Sequence, residues 1–240
     1  MERIQTNNET RQGARLVGPL SDRAIRRILK PLVFAASLSP VAFLMWDALT
    51  HQFNVNPFNA IVRSTGFWSL RFLCLTLAIT PLRWLTGWHS VMKFRRMIGQ
   101  FGFFYGTVHT AAYVLFDRLA GLDASVRARP LVATAHTLSA IGADLLRPFF
   151  AIGLVAFALM APLAATSSVG MMRRLGGRRW QALHRLVYPV AVASILHTYW
   201  PLTPRAPRYA VIIGMLFVLR LGRAYARRRA SMARRVQATG

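Results

Sequence analysis

Cysteine is all but missing from this chain of 240 residues, Cys74 being the only one. That excludes an internal disulfide and any multi-cysteine metal site. Inside an apolar run, Cys74 reads as a small packing residue. Acidic residues are nearly as scarce, 7 against 31 Lys and Arg. They are Glu2, Glu9, Asp22, Asp47, Asp117, Asp123 and Asp144, and none sits in the middle of an apolar stretch. Carboxylate ligands for zinc or non-haem iron are therefore lacking, as is the intramembrane acid usual in a proton-driven transporter. No Walker sequence, GxGxxG fingerprint or Ser/His/Asp arrangement occurs. A soluble NAD(P)H-binding domain is missing too, so any electrons handled here arrive from another protein.

What is present is apolar length. Six stretches approach the roughly 17–25 residues that a bilayer core requires, at 31–49, 66–82, 98–117, 148–165, 183–200 and 208–222. The net charge of +24 first suggests nucleic acid, but its distribution decides otherwise. With the N-terminus inside, the cytoplasmic segments hold 23 of the basic residues and the outer loops 7, with Arg71 inside the second span. Such a bias is the positive-inside signature of a membrane protein. It implies attraction to anionic lipid or to an acidic cytoplasmic partner rather than to nucleic acid. The expected fold is an all-α membrane protein, a six-helix transmembrane bundle with cytoplasmic N- and C-termini. Residues 1–30 form a basic tail, 31–222 the membrane domain and 223–240 a second basic tail. Pro40, Pro81, Pro162 and Pro189 punctuate the spans. The longest outer loop, 118–147, is expected to carry a short amphipathic helix from Leu131 to Leu145.

Six histidines are present, and depth separates them. His51, His89 and His136 fall in loops or at interfaces, where a solvated side chain suffices. His109 lies in the third span, while His184 and His197 lie at the two ends of the fifth. An ionisable group within a span points to a functional site, although one histidine alone is equally explained by a hydrogen bond between helices. Three on two helices favour function. His109 follows Arg96 by 13 residues, as His197 follows His184, which is about 20 Å of helical rise. Two layers result: an outer one of His109 with His197, suited to ligating a haem iron from both sides, and an inner one of His184 facing Arg95 or Arg96. Those arginines suit haem propionates or a flavin phosphate. Thirteen residues also leave about 220° of rotation between His184 and His197. Either Pro189 distorts the helix between them or two cofactors occupy different sides of it.

Read together, Ile79-Thr80-Pro81-Leu82, Arg95-Arg96-Met97-Ile98-Gly99, Tyr105, His109, Ala165-Thr166-Ser167, Leu175-Gly176, Trp180, Leu183-His184, Val187-Tyr188, His197 and Trp200 resemble the MsrQ (YedZ) family. That family is the haem-binding membrane subunit of the bacterial MsrPQ system, and it is similar in turn to the ferric-reductase-like transmembrane domain. The resemblance covers about residues 30–222. It implies a multi-pass protein of the bacterial inner membrane. It also implies electron transfer from a cytoplasmic flavin reductase, through FMN and one or two b-type haems, to a periplasmic molybdopterin-dependent MsrP-like subunit that repairs methionine sulfoxide. His109, His184 and His197 match the family's haem-ligand histidines, and Arg95 and Arg96 its paired arginines. Trp180, Tyr188 and Trp200 match aromatic positions that read first as packing. The chain departs from the pattern in a longer N-tail and in roughly fifteen extra residues before Arg147-Pro148, among them His136. Two other readings compete with an electron conduit: a stand-alone ferric-reductase-like oxidoreductase acting on an outer-surface substrate, and a cofactor-free membrane scaffold or transporter. None of the residues is assigned a catalytic role.

Overall fold

A computed structural model describes residues 22–50, 56–120, 122–200 and 206–239, which are almost wholly helical and contain no strand. The expected N-terminal tail up to residue 21, His51 and Arg205 lie outside the described residues. Nine helices of seven residues or more can be followed among those described, besides a π-helical stretch over Tyr113–Leu119. They are α1 (Ile25–Leu49), α2 (Pro57–Thr86), α3 (Arg95–Ala112), α4 (Pro130–Asp144), α5 (Pro148–Ala165), α6 (Val169–Leu175), α7 (Gly177–His184), α8 (Val187–Tyr199) and α9 (Ala206–Thr239). The described residues divide into two compact units between Pro40 and Val41, inside α1.

In the first unit α1 opens with a π-helical turn, Ile25–Leu29. Pro40 removes the N–H that the Ala36 carbonyl would otherwise receive. The Ser39 hydroxyl donates to that carbonyl instead, at 2.9 Å.

In the second unit α2 is the central element. Its apolar window is 56% buried, against 6% for α5 and 11% for α9. The helix starts where Asn56 accepts from the Phe58 N–H at 3.1 Å, with Pro57 at the first helical position. It stops at Gly87, whose φ of 70° suits a residue without Cβ. Leu70, Leu73, Cys74 and Leu77 of α2 form the core with Val187, Val190 and Ala191 of α8 and Ile213 and Leu216 of α9. On another face Phe72 packs on Phe101 and Tyr105 of α3. The α2–α3 seam is close because α3 presents glycine to it. A Cβ on Gly102 would lie 3.6 Å from that of Phe72, and one on Gly106 would lie 3.3 Å from the Ser69 hydroxyl. Ser69 donates across the seam to the Gly102 carbonyl at 2.9 Å. Small residues and a hydroxyl bridge are how helices associate where lipid removes the usual hydrophobic drive.

Several polar groups inside this apolar frame find partners on other elements. Arg71 donates through Nε to the Tyr209 hydroxyl at 3.0 Å and lies 4.3 Å over the Trp68 ring. Pro81, like Pro40, frees a carbonyl one turn back, that of Leu77. Arg220 reaches across from α9 and donates to it at 2.6 Å. Large apolar side chains face outward, Leu85, Val211, Val218 and Leu221 among them, which suits a surface solvated by lipid.

Among the described residues four helices are long and apolar enough to cross a membrane: α1, α2, α5 and α9. Two of the six expected spans look different. The third corresponds to α3, whose Arg95, Arg96, Gln100 and glycines lower its hydropathy, and which passes into a π-helical stretch over Tyr113–Leu119. The fifth is not one helix. It breaks at Arg185–Leu186 into α7 and the 13-residue α8. Pro189 explains the position of the break, because it has no N–H for the Arg185 carbonyl and its ring crowds that group. His184 and His197 therefore belong to different helices, so the 220° argument for one continuous helix does not apply. The basic stretch from 223 continues α9 as far as Thr239. The helix expected over Leu131–Leu145 is α4, and it leaves His136 exposed.

If Arg220 serves the carbonyl that Pro81 frees, the two positions are coupled. Arg220→Met is expected to cost about 1–3 kcal/mol in the native background. The cost should fall clearly in Pro81→Ala, where residue 81 donates to Leu77 itself. Thermal melting in detergent reads the cycle. Equal costs in both backgrounds would mean that the arginine does something else.

Candidate functional site

Two of the singled-out histidines meet. His109 of α3 and His197 of α8 have ring centroids 6.2 Å apart and planes at 79°. Both line a cavity of about 310 Å³ between α2, α3, α5 and α8. Its walls are mainly apolar, including Phe67, Leu70, Phe149, Leu154 and Phe157; besides the histidines, Arg63, Ser69, Thr110, Tyr113, Ser194 and Thr198 bring polar groups to it.

Each ring is seated the same way. His109 Nδ1 lies 2.8 Å from the Val62 carbonyl of α2, and His197 Nδ1 lies 2.7 Å from the Phe149 carbonyl of α5. A carbonyl only accepts, so Nδ1 must carry the hydrogen in both rings. In the neutral imidazole that leaves Nε2 with a free lone pair, the form a metal requires. Four residues beyond each carbonyl stands a glycine. A Cβ on Gly66 would come within 3.0 Å of the His109 ring, and one on Gly153 within 2.6 Å of the His197 ring. The repeated unit is thus a carbonyl to orient the imidazole and a glycine one turn later to make room for it. Phe149 adds a stacked ring against His197, at 5.8 Å.

Two imidazoles that ligate one metal ion from opposite sides place their centroids about 6 Å apart, given metal–nitrogen bonds of about 2 Å. The pair fits that requirement. No group of three or more His, Cys, Asp or Glu capable of holding a metal occurs among the described residues, so the two imidazoles would suit a cofactor that brings the other ligands of its metal with it.

His184 does not line this cavity. It ends α7, stacked on Trp180 at 4.0 Å, with Nε2 3.2 Å from the Thr166 hydroxyl. Trp180 Nε1 donates to the Thr166 carbonyl at 2.9 Å. Arg95 and Arg96 are the charges that act on His184. Tyr188 accepts from Arg220 at 2.8 Å, and Trp200 is exposed.

Sequence reasoning missed Gly66 and Gly153, which look like ordinary helix-packing glycines. It also missed Asp144, the one buried acid among the described residues. Tyr113, which lines the cavity, donates its hydroxyl to Asp144. Arg118 pairs with the same carboxylate and donates through Nε to the Tyr113 oxygen at 2.6 Å, while Arg147 stands 3.6 Å from Asp144. This network ties the end of α4 to the rim of the cavity.

The comparisons with known proteins bear on this arrangement. Residues 65–195 match the family described as ferric reductase like transmembrane component. Three relatives carry the name protein-methionine-sulfoxide reductase heme-binding subunit MsrQ. The one from Bordetella pertussis is 46% identical over 182 residues, covering 76% of this chain and 80% of its own. That from Herminiimonas arsenicoxydans is 43% identical over 173 residues, 72% of each chain. That from Ralstonia nicotianae is 41% identical over 211 residues, 86% of this chain and 88% of its own. The chain belongs to the MsrQ family. It is accordingly a membrane protein of the ferric-reductase-like class. The matched residues 65–195 take in Gly66, His109, Gly153 and His184 and stop two positions short of His197. No solved structure matches the chain.

The glycine seats make a graded prediction. Gly153→Ala is expected to cost more than Gly66→Ala, because its Cβ meets the imidazole 0.4 Å closer (2.6 against 3.0 Å). Overpacking of this kind costs about 1–3 kcal/mol. Melting curves of the two variants, each with Gly→Ser as a larger step, give the order. The reverse order would contradict the seating described.

Proposed function

We propose that the chain is a transmembrane electron conduit whose His109 and His197 hold a b-type haem. The observation that carries this reading is the paired seating of two imidazoles on one cavity, each with Nδ1 committed to a backbone carbonyl and Nε2 left available. Haem bound there supplies a one-electron carrier within the bundle. The protein's own residues do the rest. Val62 and Phe149 fix the tautomer and orient the rings. Gly66 and Gly153 set their depth. Phe67, Leu70, Phe149 and Phe157 exclude water and lower the local polarity, which tunes the potential of a bound haem. Arg63, on the cavity wall, is placed to meet a carboxylate on the cofactor edge.

His184, with Arg95 and Arg96 nearby, marks a second station, for another haem or for the phosphate of FMN. In the proposed topology six segments cross the bacterial inner membrane and both termini are cytoplasmic, with α3 and α7–α8 as the two less apolar crossings. Neighbouring helices shield the polar groups of those two. Electrons enter from a cytoplasmic flavin reductase and leave to a periplasmic molybdopterin-dependent subunit that reduces methionine sulfoxide. The support for that partner is the name shared by the relatives. The chain itself is then the electron-transfer subunit, not the catalytic one.

Absorption spectra of detergent-purified protein, oxidised and dithionite-reduced, test the proposal. Wild type should show sharp reduced b-type bands. His109→Ala and His197→Ala should each lower haem retention by about tenfold or more, since even a partner of a ligand is worth about 10–100-fold in affinity. Protein that stays colourless after expression with ample haem would sink the reading and return both histidines to a packing role.

A further inference from the structure

Asp144, the last residue of α4, is only 4% exposed. Both of its carboxylate oxygens are in use. One receives the Tyr113 hydroxyl and pairs with Arg118, and the other faces Arg147 at 3.6 Å. Arg118 closes a triangle. It donates through Nε to the Tyr113 oxygen at 2.6 Å, and its guanidinium carbon lies 5.3 Å from the centroid of the Tyr113 ring. The tyrosine is thus fixed at its hydroxyl by an acid from α4 and by a base five residues further along its own chain segment.

Tyr113 is where this cluster meets the histidine cavity. It lines the cavity, whereas Asp144, Arg118 and Arg147 do not. The hydroxyl is therefore turned out of the cavity, and the ring is what the cavity receives. Tyr113 follows His109 by four residues, about 6 Å further along and on the same helix face. Its ring centroid lies 5.0 Å from that of Phe150, and Phe150 adjoins Phe149, whose carbonyl seats His197. One side chain borders both histidine seats. The backbone that carries it is irregular: Tyr113 opens the π-helical stretch Tyr113–Leu119, a geometry that re-aims side chains and is frequent at functional sites.

We infer that Asp144 is a positioning residue for the cofactor held by His109 and His197: it acts through Tyr113, whose ring it holds against the cavity, and it sets a buried negative charge beside that site. The inference rests on the haem reading given above. A buried carboxylate is costly unless its oxygens are bonded, and here every bond it makes goes to the tyrosine or to arginines at the same rim. The hydrogen bond fixes a wall that would otherwise be free to swing out, which slows the escape of a bound group. The charge opposes the arrival of an electron, so it holds the potential of a bound haem below the value that the surrounding arginines alone would set.

The test uses the haem-loaded full chain in detergent and two readouts. Haem loss is followed by transfer to excess apomyoglobin, and the midpoint potential by spectroscopic titration. Tyr113→Phe and Asp144→Ala should each speed haem loss about tenfold, the worth of one hydrogen bond to a charged group. Combined, they should do little more than either alone. Asp144→Asn keeps an acceptor for the tyrosine and drops the charge. It should raise the equilibrium constant for reduction about tenfold, which is 59 mV for one electron. Where two haem transitions are resolved, the one that moves should be the one lost in His197→Ala. Asp123→Asn, at an exposed acid of the same outer segment, should change neither readout. Should Asp144→Ala fail to fold, Tyr113→Phe carries the rate and Asp144→Asn the potential. Wild-type rates of haem loss, or additive effects in the double variant, overturn the positioning role. An unmoved potential in Asp144→Asn, or an equal shift in Asp123→Asn, overturns the role of the charge. Wild type without haem refutes the reading of the cavity itself, and a double-mutant cycle on the melting of unloaded protein would then show Tyr113 and Asp144 as a purely structural pair.

Discussion

Inside a membrane a polar group has no water to fall back on, so its partner must be another part of the protein. Much of this structure follows from that single constraint. Proline is admitted into α1 and α2 only with a stand-in donor for the carbonyl it frees, Ser39 in one helix and Arg220 in the other. Arg71 is admitted into the most buried helix because Tyr209 accepts from it and Trp68 offers it a ring face. Ser69 spends its hydroxyl on Gly102 of α3 and so joins α2 to α3. Ser39 acts within its own helix, but at Arg220, Arg71 and Ser69 the bond that relieves a local cost also fixes one helix against another.

The histidine cavity turns the same constraint towards chemistry. A helix carbonyl already accepts from the N–H four residues on, but it has a second lone pair. Val62 and Phe149 offer that second lone pair to an imidazole. The ring can approach only if the residue four positions later has no side chain in the way, and at both places that residue is glycine. Glycine costs a helix interior up to about 1 kcal/mol relative to alanine. Two such costs, at two equivalent positions on different helices, are accepted where room for a ring is the return. The imidazoles are thereby held with Nδ1–H on a carbonyl before any metal arrives, which limits the reorganisation a ligand must undergo on binding.

How much of this could be read from the sequence depends on the range of the interaction involved. Apolar length and the distribution of arginine pointed to a membrane helical protein, because both depend on local composition. The equal 13-residue offsets placed His109 and His197 at one depth, and the structure brings those two side chains together on the cavity. His184 was expected to share a helix with His197. The sequence held the contrary signal in Pro189, whose effect falls one turn upstream, on the Arg185 carbonyl. Gly66 and Gly153 could not be singled out, since their role depends on which side chain of another helix lies opposite. Asp144 carries no such mark either, because its partner Tyr113 is 31 positions away. Pairings across helices are the part that one-dimensional spacing does not carry.

The two polar regions of the bundle differ in how much of their charge the protein offsets. At the cavity rim, Arg118 and Arg147 share Asp144, the one buried carboxylate among the described residues, and Tyr113 closes the network. That carboxylate offsets part of the guanidinium charge, and Arg63 on the cavity wall adds to it, so the region offers a cofactor positive charge as well as shape and two lone pairs. At the far end of α2, Arg83, Arg95, Arg220 and Arg223 come together without a carboxylate, and three of the unpaired buried donors there are nitrogens. With 7 acids against 31 bases in the chain, neutralisation from within is not available everywhere.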